Sequence, residues 1–279
     1  MAIDFPVAFT KMSGAGNDFI VIDHRTPLIP EAEQPEFAKL VCRRMFSVGA
    51  DGLILIEDSA TADFRWRFYN ADGSVAEMCG NGARCAARFA FAKGIAGASM
   101  LFETLAGIIE AQVSDDDTVR LRMTAPTDFR RRLPIVLDGR ERSLSFVNTG
   151  VPHAVLFVDE DEAVPVREWG RIVRFHPLFQ PAGTNVNFVR KIGENTIQVR
   201  TYERGVEDET MACGTGAVAS ALFAAMNGVA ASPVHVVTSG GESLTILFDL
   251  RDGVQAENVF LQGPARIIYE GKLTAEALF

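Results

Sequence analysis

Hydrophobic and polar positions in this chain alternate over short stretches more often than they recur at helical spacing. Short apolar or alternating runs closed by Gly, Asp or Asn predict strands at Val7–Thr10, Phe19–Asp23, Gly52–Glu57, Phe64–Tyr69, Ile108–Val113, Ala154–Val158, Thr196–Tyr202, Ser243–Phe248 and Ala265–Tyr269. Helical spacing occurs at Pro35–Phe46, Gly82–Lys93, Pro165–Phe175 and Gly216–Met226. The second and fourth of these stop at Gly94 and at Asn227-Gly228, residues suited to the left-handed turn that ends a helix. With strands outnumbering helices, the pattern predicts an α+β fold in which sheets wrap a few buried helices.

The pattern also repeats. Cys79-Gly80-Asn81-Gly82-Ala83-Arg84-Cys85-Ala86-Ala87-Arg88-Phe89-Ala90 laid over the segment from Cys213 to Ala224, at an offset of 134, is identical at seven of twelve positions. At an offset of 136, Gly14–Asp23 lies over Gly150–Asp159, pairing a turn, a polar residue, an apolar strand and a closing Asp. Two similar offsets near half the chain length predict two similarly folded halves.

Composition narrows the function classes. The chain has 279 residues, 48% of them apolar and 23% charged, which excludes disorder and fibrous repeats. Its 27 basic and 36 acidic side chains give a net charge of −9, so there is no cationic field to draw nucleic acid or an anionic membrane surface. No apolar run reaches membrane-helix length and the start carries no secretory signal. A cytoplasmic location, with neither nucleic acid nor membrane as partner, is the expectation. Thiols stay reduced there, so Cys42, Cys79, Cys85 and Cys213 are read individually and not as a disulfide framework.

Cys42 and Cys85 fall inside helical stretches and read as core residues. Cys79 and Cys213 differ, because each opens a Cys-Gly-x-Gly run before a small-residue helix. Glycines at a helix entrance leave backbone N–H groups open to an anion, where the helix dipole also favours negative charge. A thiol at that position is electropositively placed, and about 1 kcal/mol of dipole interaction lowers its pKa by less than one unit. If the halves pack about a pseudo-two-fold axis, the thiols would oppose one another across a cleft. One could take the proton from a carbon beside a bound carboxylate while the other returns a proton to the opposite face. This is racemisation or epimerisation without a cofactor, in keeping with the lack of a pyridoxal lysine signature, a dinucleotide fingerprint or a metal cluster.

Several blocks carry a family resemblance. They are Phe9–Phe19; Gly49-Ala50-Asp51-Gly52; Tyr69–Ser74 with Glu77–Gly82; Pro152-His153; Gly183–Phe188; and Tyr202-Glu203-Arg204-Gly205 with Ala212–Gly216. In their order and residues the chain resembles the diaminopimelate epimerases. The resemblance implies an isomerase that interconverts LL- and meso-diaminopimelate in lysine and peptidoglycan precursor biosynthesis, with Cys79 and Cys213 as the two bases and no metal. It places Gly80, Asn81, Gly214 and Thr215 at the carboxylate of the reacting centre, with His153 and Glu203 beside its amino group. Asn17, Asn70, Asn185 and Arg204 would read the distal end, where a guanidinium can grip a second carboxylate and the amides can fix an ammonium. It further implies two pseudo-symmetric lobes, each a mixed sheet or barrel around a central helix, with the active site in the cleft between them. The first lobe would span 1–124 with a last strand within 264–279 returning to it, and the second 125–263. A homodimer is the family expectation.

The chain departs from the family at three points: Val151 stands where many members have Asn, Gly52 where some have Gln, and the stretch between Glu203 and Cys213 is one residue longer than the commonest version. Two other functions compete. A proline-racemase-like enzyme would share the two cysteines, but such enzymes typically have histidine at the position of Asn81 and no distal group to bind. A thiol redox or sensor protein would join Cys79 and Cys213 in a reversible disulfide. Singly, His153 reads as a turn histidine, the asparagines as turn residues, Arg204 as a surface partner of Glu203, and Arg130-Arg131-Arg132 as a solvated loop.

Overall fold

A computed structural model describes residues 3–279, and the chain divides into two compact units, 1–121 with 263–279, and 122–262. The first unit is built from β1 (Val7–Gly14), β2 (Asn17–Asp23), α1 (Gln34–Val41), β3 (Gly52–Glu57), β4 (Phe64–Asn70), α2 (Gly80–Ala92), β5 (Ser99–Thr104), β6 (Gly107–Val113) and β7 (Thr118–Arg122). The second comprises β8 (Thr127–Leu137), β9 (Arg140–Asn148), β10 (Pro152–Phe157), α3 (Val166–Arg174), β11 (Asn185–Gly193), β12 (Thr196–Glu203), β13 (Asp208–Thr210), α4 (Gly214–Met226), β14 (Val234–Thr238), β15 (Ser243–Arg251) and β16 (Gln255–Pro264). The last strand, β17 (Arg266–Leu273), returns to the first unit and pairs with β1.

Within each unit the sheet follows the same sequence of pairings. In the first, β17-β1-β2-β3-β4-β5-β6-β7 are joined antiparallel, antiparallel, parallel, antiparallel, parallel, antiparallel and antiparallel. In the second, β8-β9-β10-β11-β12-β14-β15-β16 are joined in that same succession. Each first parallel pair is bridged by an outer helix, α1 or α3, and each second by an inner one, α2 or α4. The strand run within each unit is open and does not close into the barrel that was the alternative expectation. Comparable registers align Phe19 with His153, through the Phe19–Gly52 and His153–Asn185 pairs, and Ile54 with Asn187, through the Ile54–Phe68 and Asn187–Thr201 pairs. The sequence match at offset 136 is therefore displaced by two residues. A slip of two preserves the strand's in–out alternation, which is why the pattern did not reveal it.

Alternation sets which residue meets which helix. Ile20, Ile22, Leu53, Leu55 and Tyr69 form one core with Phe37, Ala38 and Val41 of α1, whereas the Gly82 backbone of α2 lies against Phe19, Ile54 and Trp66. Both faces of β3 are covered, so all six of its residues are buried. In the second unit Ala154, Leu156, Val186, Phe188 and Tyr202 pack with Trp169 and Val173 of α3. The inner helices approach their sheets closely because their buried positions are small, Gly82, Ala83, Ala86, Ala87 and Ala90 in α2 and Gly216, Ala217, Ala219, Ser220, Ala221 and Ala224 in α4. Both end as expected: Gly94 and Gly228 take φ +66° and +69°, with Ile95 N–H donating to Ala90 O and Val229 N–H to Ala224 O.

Two expectations change. α1 stops at Val41, short of Phe46, and Cys42 becomes its buried C-cap. Arg130–Arg132 belongs to β8 and is not a loop; the Arg130 guanidinium stacks 3.9 Å from the Phe146 ring centroid, which secures its stem on the sheet.

The outer-helix contact of the second unit is testable at Gly170, where an added Cβ would lie 2.4 Å from Cγ and 2.5 Å from Cβ of Tyr202. Alanine favours the helix interior over glycine by about 1 kcal/mol, yet the overlap opposes this. Gly170→Ala is expected to destabilise the protein by about 1–3 kcal/mol net in urea unfolding; a stabilised variant would show that α3 does not rest on that ring.

Candidate active site

Cys79 and Cys213 occupy the same station in their units, the N-cap of the inner helix. Both have extended backbones, φ/ψ −146°/119° and −127°/110°, and neither helix has a side-chain cap. The helical ladders begin at Ala83 N–H to Cys79 O (2.8 Å) and Ala217 N–H to Cys213 O (2.9 Å). The N–H groups of Gly80, Asn81 and Gly82, and of Gly214, Thr215 and Gly216, precede those ladders and present the positive end of each helix. Nothing of the protein lies within 4 Å of the position a Cβ at Gly80 would take, so that glycine leaves the helix entrance open. Cys79 and Cys213 are half-buried, whereas Cys42 and Cys85 are buried and their thiols are pushed up to about 12 by desolvation. This separates two accessible cysteines from two inert ones.

In the first unit the structure joins Asn17 to Asn81. The Asn81 amide donates to Asn17 Oδ1 (2.7 Å), the Asn17 amide donates to Asp51 Oδ2 (2.9 Å), and Arg84 donates to Asn81 Oδ1 (2.8 Å). Asp51 and Asp18 are held in turn by Arg44. Although burial opposes it, hydrogen bonds from Arg44 and Lys11 keep the Asp18 carboxyl below its ordinary range. Asn70 ends β4 opposite Gly52 and donates to Ser74 Oγ (3.0 Å), while Ala71 N–H donates to Asp51 O (3.0 Å). Asp51 thus gathers Asn17 and the Asn70 turn, a service its place in the Gly-Ala-Asp-Gly block did not disclose. Gly52 has no room for glutamine without rearrangement, since a Cβ there would meet the Phe68 ring at 2.5 Å and Tyr69 O at 2.7 Å.

In the second unit His153, Asn185 and Glu203 lie on three successive strands, at the start of β10, the start of β11 and the end of β12. Asn185 donates to Pro152 O (3.1 Å) and accepts from Arg204 N–H (2.8 Å), and the Arg204 guanidinium donates to Ala182 O (3.1 Å). Burial pushes the Glu203 carboxyl up. The segment beyond it is an ordered hairpin, with β13 paired to β12, Glu207 bound by Arg174 and Tyr202, and Glu209 by Arg200. His153 is fully buried; its Nε2 is 2.9 Å from Thr215 Oγ1 and its Nδ1 is 3.1 Å from the Asn187 amide. Desolvation, followed by the charge of Arg204, lowers its pKa to about 3, so the ring is neutral. Asn187 and Thr201 were not singled out in the sequence, although Asn187, a polar residue between Val186 and Phe188 on a buried strand, is a signal in itself. Among the described residues, no group of three or more His, Cys, Asp or Glu is placed to hold a metal ion, and no helix is long and apolar enough to cross a membrane.

Comparison with known proteins gives a consistent result. The diaminopimelate epimerase family model matches residues 9–128 and 145–268. The chain is similar to the diaminopimelate epimerase of Aquifex aeolicus, 48% identical, covering 97% of this chain and 99% of that protein. It is also similar to that of Archaeoglobus fulgidus, 42% identical and covering 98% of each. Among solved structures it resembles a Bacillus anthracis phenazine biosynthesis protein of the PhzF family, with TM-score 0.71, 16% identity and coverage of 97% and 100%. A hydroxyproline epimerase from Agrobacterium vitis gives TM-score 0.66, 16% identity and coverage of 98% and 95%. At such low identities these structures speak for the fold alone.

The buried neutral histidine sets a pH dependence of stability. Its folded pKa, about 3, lies below the ordinary value of 6.5, so its contribution is fully present above 6.5 and is lost progressively as the pH falls towards 3. His153→Gln, which retains a donor and an acceptor, should flatten the pH dependence of urea-unfolding free energy across that window. An unchanged slope would mean that another group carries it.

Proposed function

The chain belongs to the diaminopimelate epimerase family, and from that premise we propose that it epimerises diaminopimelate with Cys79 and Cys213 as a thiolate–thiol pair. The observation that carries the proposal is the matched placement of these cysteines at the uncapped N-termini of the inner helices of two units that share one succession of strand pairings. The reaction requires both thiols at one α-carbon. The thiolate removes the α-proton, the negative charge delocalises into the adjacent carboxylate, and the opposite thiol protonates the other face. Backbone N–H groups at Gly80, Asn81, Gly214 and Thr215 stabilise that charge, together with the helix dipoles. After a turnover the two cysteines have exchanged protonation states, so the enzyme is set for the reverse direction. No cofactor enters this scheme.

Glu203 serves the amino group of the reacting centre, on the same side as His153, while Asn17, Asn70, Asn185 and Arg204 hold the distal amino-acid end. Support for the distal assignment is the orientation of these groups by the protein itself: Asp51 fixes Asn17, and Asn185 is locked between Pro152 O and Arg204 N–H. A half-buried arginine in the turn just past β12 can still offer a bidentate face to a carboxylate. A cytoplasmic homodimer completes this reading and rests on the family resemblance.

Three experiments test it. Incubated with LL-diaminopimelate in deuterated water, the reduced enzyme should yield meso product carrying α-deuterium before deuterium appears in recovered substrate. Cys79→Ala and Cys213→Ala should each lower inversion by about a hundredfold or more with the fold intact, and near-normal inversion in either would overturn the two-base assignment. Arg204→Ala should raise KM for diaminopimelate far more than for a short amino acid turned over slowly, and equal effects would remove it from the distal subsite.

A further inference from the structure

Behind α4 lies a chain of polar side chains with no counterpart behind α2. Thr201 Oγ1 donates to Asn187 Oδ1 (3.0 Å); the Asn187 amide donates to Ala154 O (3.0 Å) and meets His153 Nδ1 (3.1 Å); His153 Nε2 meets Thr215 Oγ1 (2.9 Å); and Thr215 Oγ1 lies 3.5 Å from Cys213 Sγ. The directions of these bonds follow from one fixed point. A backbone carbonyl can only accept, so the atom of Asn187 facing Ala154 O is its NH₂. That same NH₂ faces His153 Nδ1, which therefore accepts, and a neutral imidazole then carries its hydrogen on Nε2. His153 Nε2–H donates to Thr215 Oγ1, leaving the single hydroxyl hydrogen of Thr215 to point at Cys213 Sγ.

We propose that Asn187 is a positioning residue that fixes the Nε2–H tautomer of His153, and that through it the Thr215 hydroxyl is held as a hydrogen-bond donor to the Cys213 thiolate. The inference deepens the two-base reading and rests on it for the role of Cys213. A donor aimed at sulfur favours thiolate over thiol and fixes the direction of its lone pairs. It also accounts for the second glycine of the Cys-Gly-Thr-Gly run, because a Cβ at Gly216 would lie 2.3 Å from Asn187 Oδ1. The helix start must be bare there for the carboxamide to lie beneath it.

The first unit provides an internal control. By strand register the positions of His153, Asn187 and Thr201 are those of Phe19, Ile54 and Phe68, which pack as apolar groups, the two rings edge to face with centroids 5.9 Å apart. Gly82, the partner of Gly216, would meet Ile54 at an ordinary 3.4 Å. The fold itself therefore does not require the polar trio, and its placement behind Cys213 is specific to that half. The ionisable groups facing this region are His153 on β10, Glu203 at the end of β12 and Arg204 just beyond it, whose charge acts on His153; Glu209 on β13 shares the opposite face with Tyr202 and is bound by Arg200, and the first turn of α4 supplies no acidic residue.

The test uses the full chain without substrate, so its failure and the failure of the diaminopimelate reading are separable. Long-range ¹⁵N–¹H spectra should place the His153 hydrogen on Nε2, and its appearance on Nδ1 would overturn the proposal. Peptide mass spectrometry after timed iodoacetamide treatment should show Cys213 alkylation about ten- to a hundredfold slower in Thr215→Val, the range expected for a lost hydrogen bond to a charged group. The rate should recover in Thr215→Ser. Asn187→Asp, whose carboxylate can only accept from His153, should move the hydrogen to Nδ1 and slow Cys213 while leaving Cys79 unchanged. Unaltered Cys213 alkylation in Thr215→Val would sink the inference, whether or not the Asn187 variant folds.

Discussion

The close approach of a small-residue helix to one face of its sheet is the constraint on which each unit depends. Gly82 with its alanines, and Gly216 with its alanines and Ser220, let the inner helix be buried on nearly every side. The long polar side chain buried along α2, Arg84, is satisfied there by Asn81 Oδ1 and by the carbonyls of Gly80 and Pro264. At its N-terminus the buried helix emerges, and there the backbone supplies both hydrogen-bond donors and positive potential. In the proposed reaction an acidic protein thereby binds a carboxylate and stabilises a developing negative charge at two helix starts. The cysteine at each N-cap takes the position usually given to Ser, Thr, Asp or Asn. The usual capping residue would satisfy the N–H groups itself, so replacing it with a thiol gives up a local stabilisation of about 1 kcal/mol and leaves the donors for a ligand.

How much of this was legible in the sequence follows from which signals were local. The helix stops at Gly94 and Gly228 and the strand Gly52–Glu57 are each written in a few adjacent residues and emerge where the pattern put them; the Cys-Gly-x-Gly entrances were equally local, but both inner helices begin two residues earlier than expected, at Gly80 and Gly214, so the glycines form the first turn itself. The strand made by Arg130–Arg132 was not legible, because a charged run on one partly exposed strand looks the same as a solvated loop until Phe146 is seen beneath Arg130. The internal repeat was visible, but its register in the β2 and β10 region was misread by two, since strand alternation is blind to an even shift. The site was legible where side chains belong to a motif and illegible where they serve one: Asp51, Asn187 and Thr201 act through Asn17, His153 and Thr215. Such partners are separated along the chain by tens of residues, and only folding establishes that they are neighbours.

The duplicated plan also explains how one architecture can meet two unlike chemical demands. A symmetric pair of identical thiols would titrate as a coupled unit with no intrinsic bias in where the shared proton resides. Here the backbone frame is repeated, strand pairing by strand pairing, while the side chains behind the two helix starts diverge. Phe19, Ile54 and Phe68 pack apolar behind one, with Asn81 governed from the side by Asn17 and Arg84. His153, Asn187 and Thr201 form a directed hydrogen-bond chain behind the other. Buried polar chains are costly unless fully satisfied, and this one is satisfied from Thr201 through to Thr215. Because the first unit fills the same positions with apolar groups, the fold does not require the polar chain, and its placement points to what it does at the helix start. The repeat supplies matching geometry at the two thiols; the divergence behind it allows their proton affinities to differ.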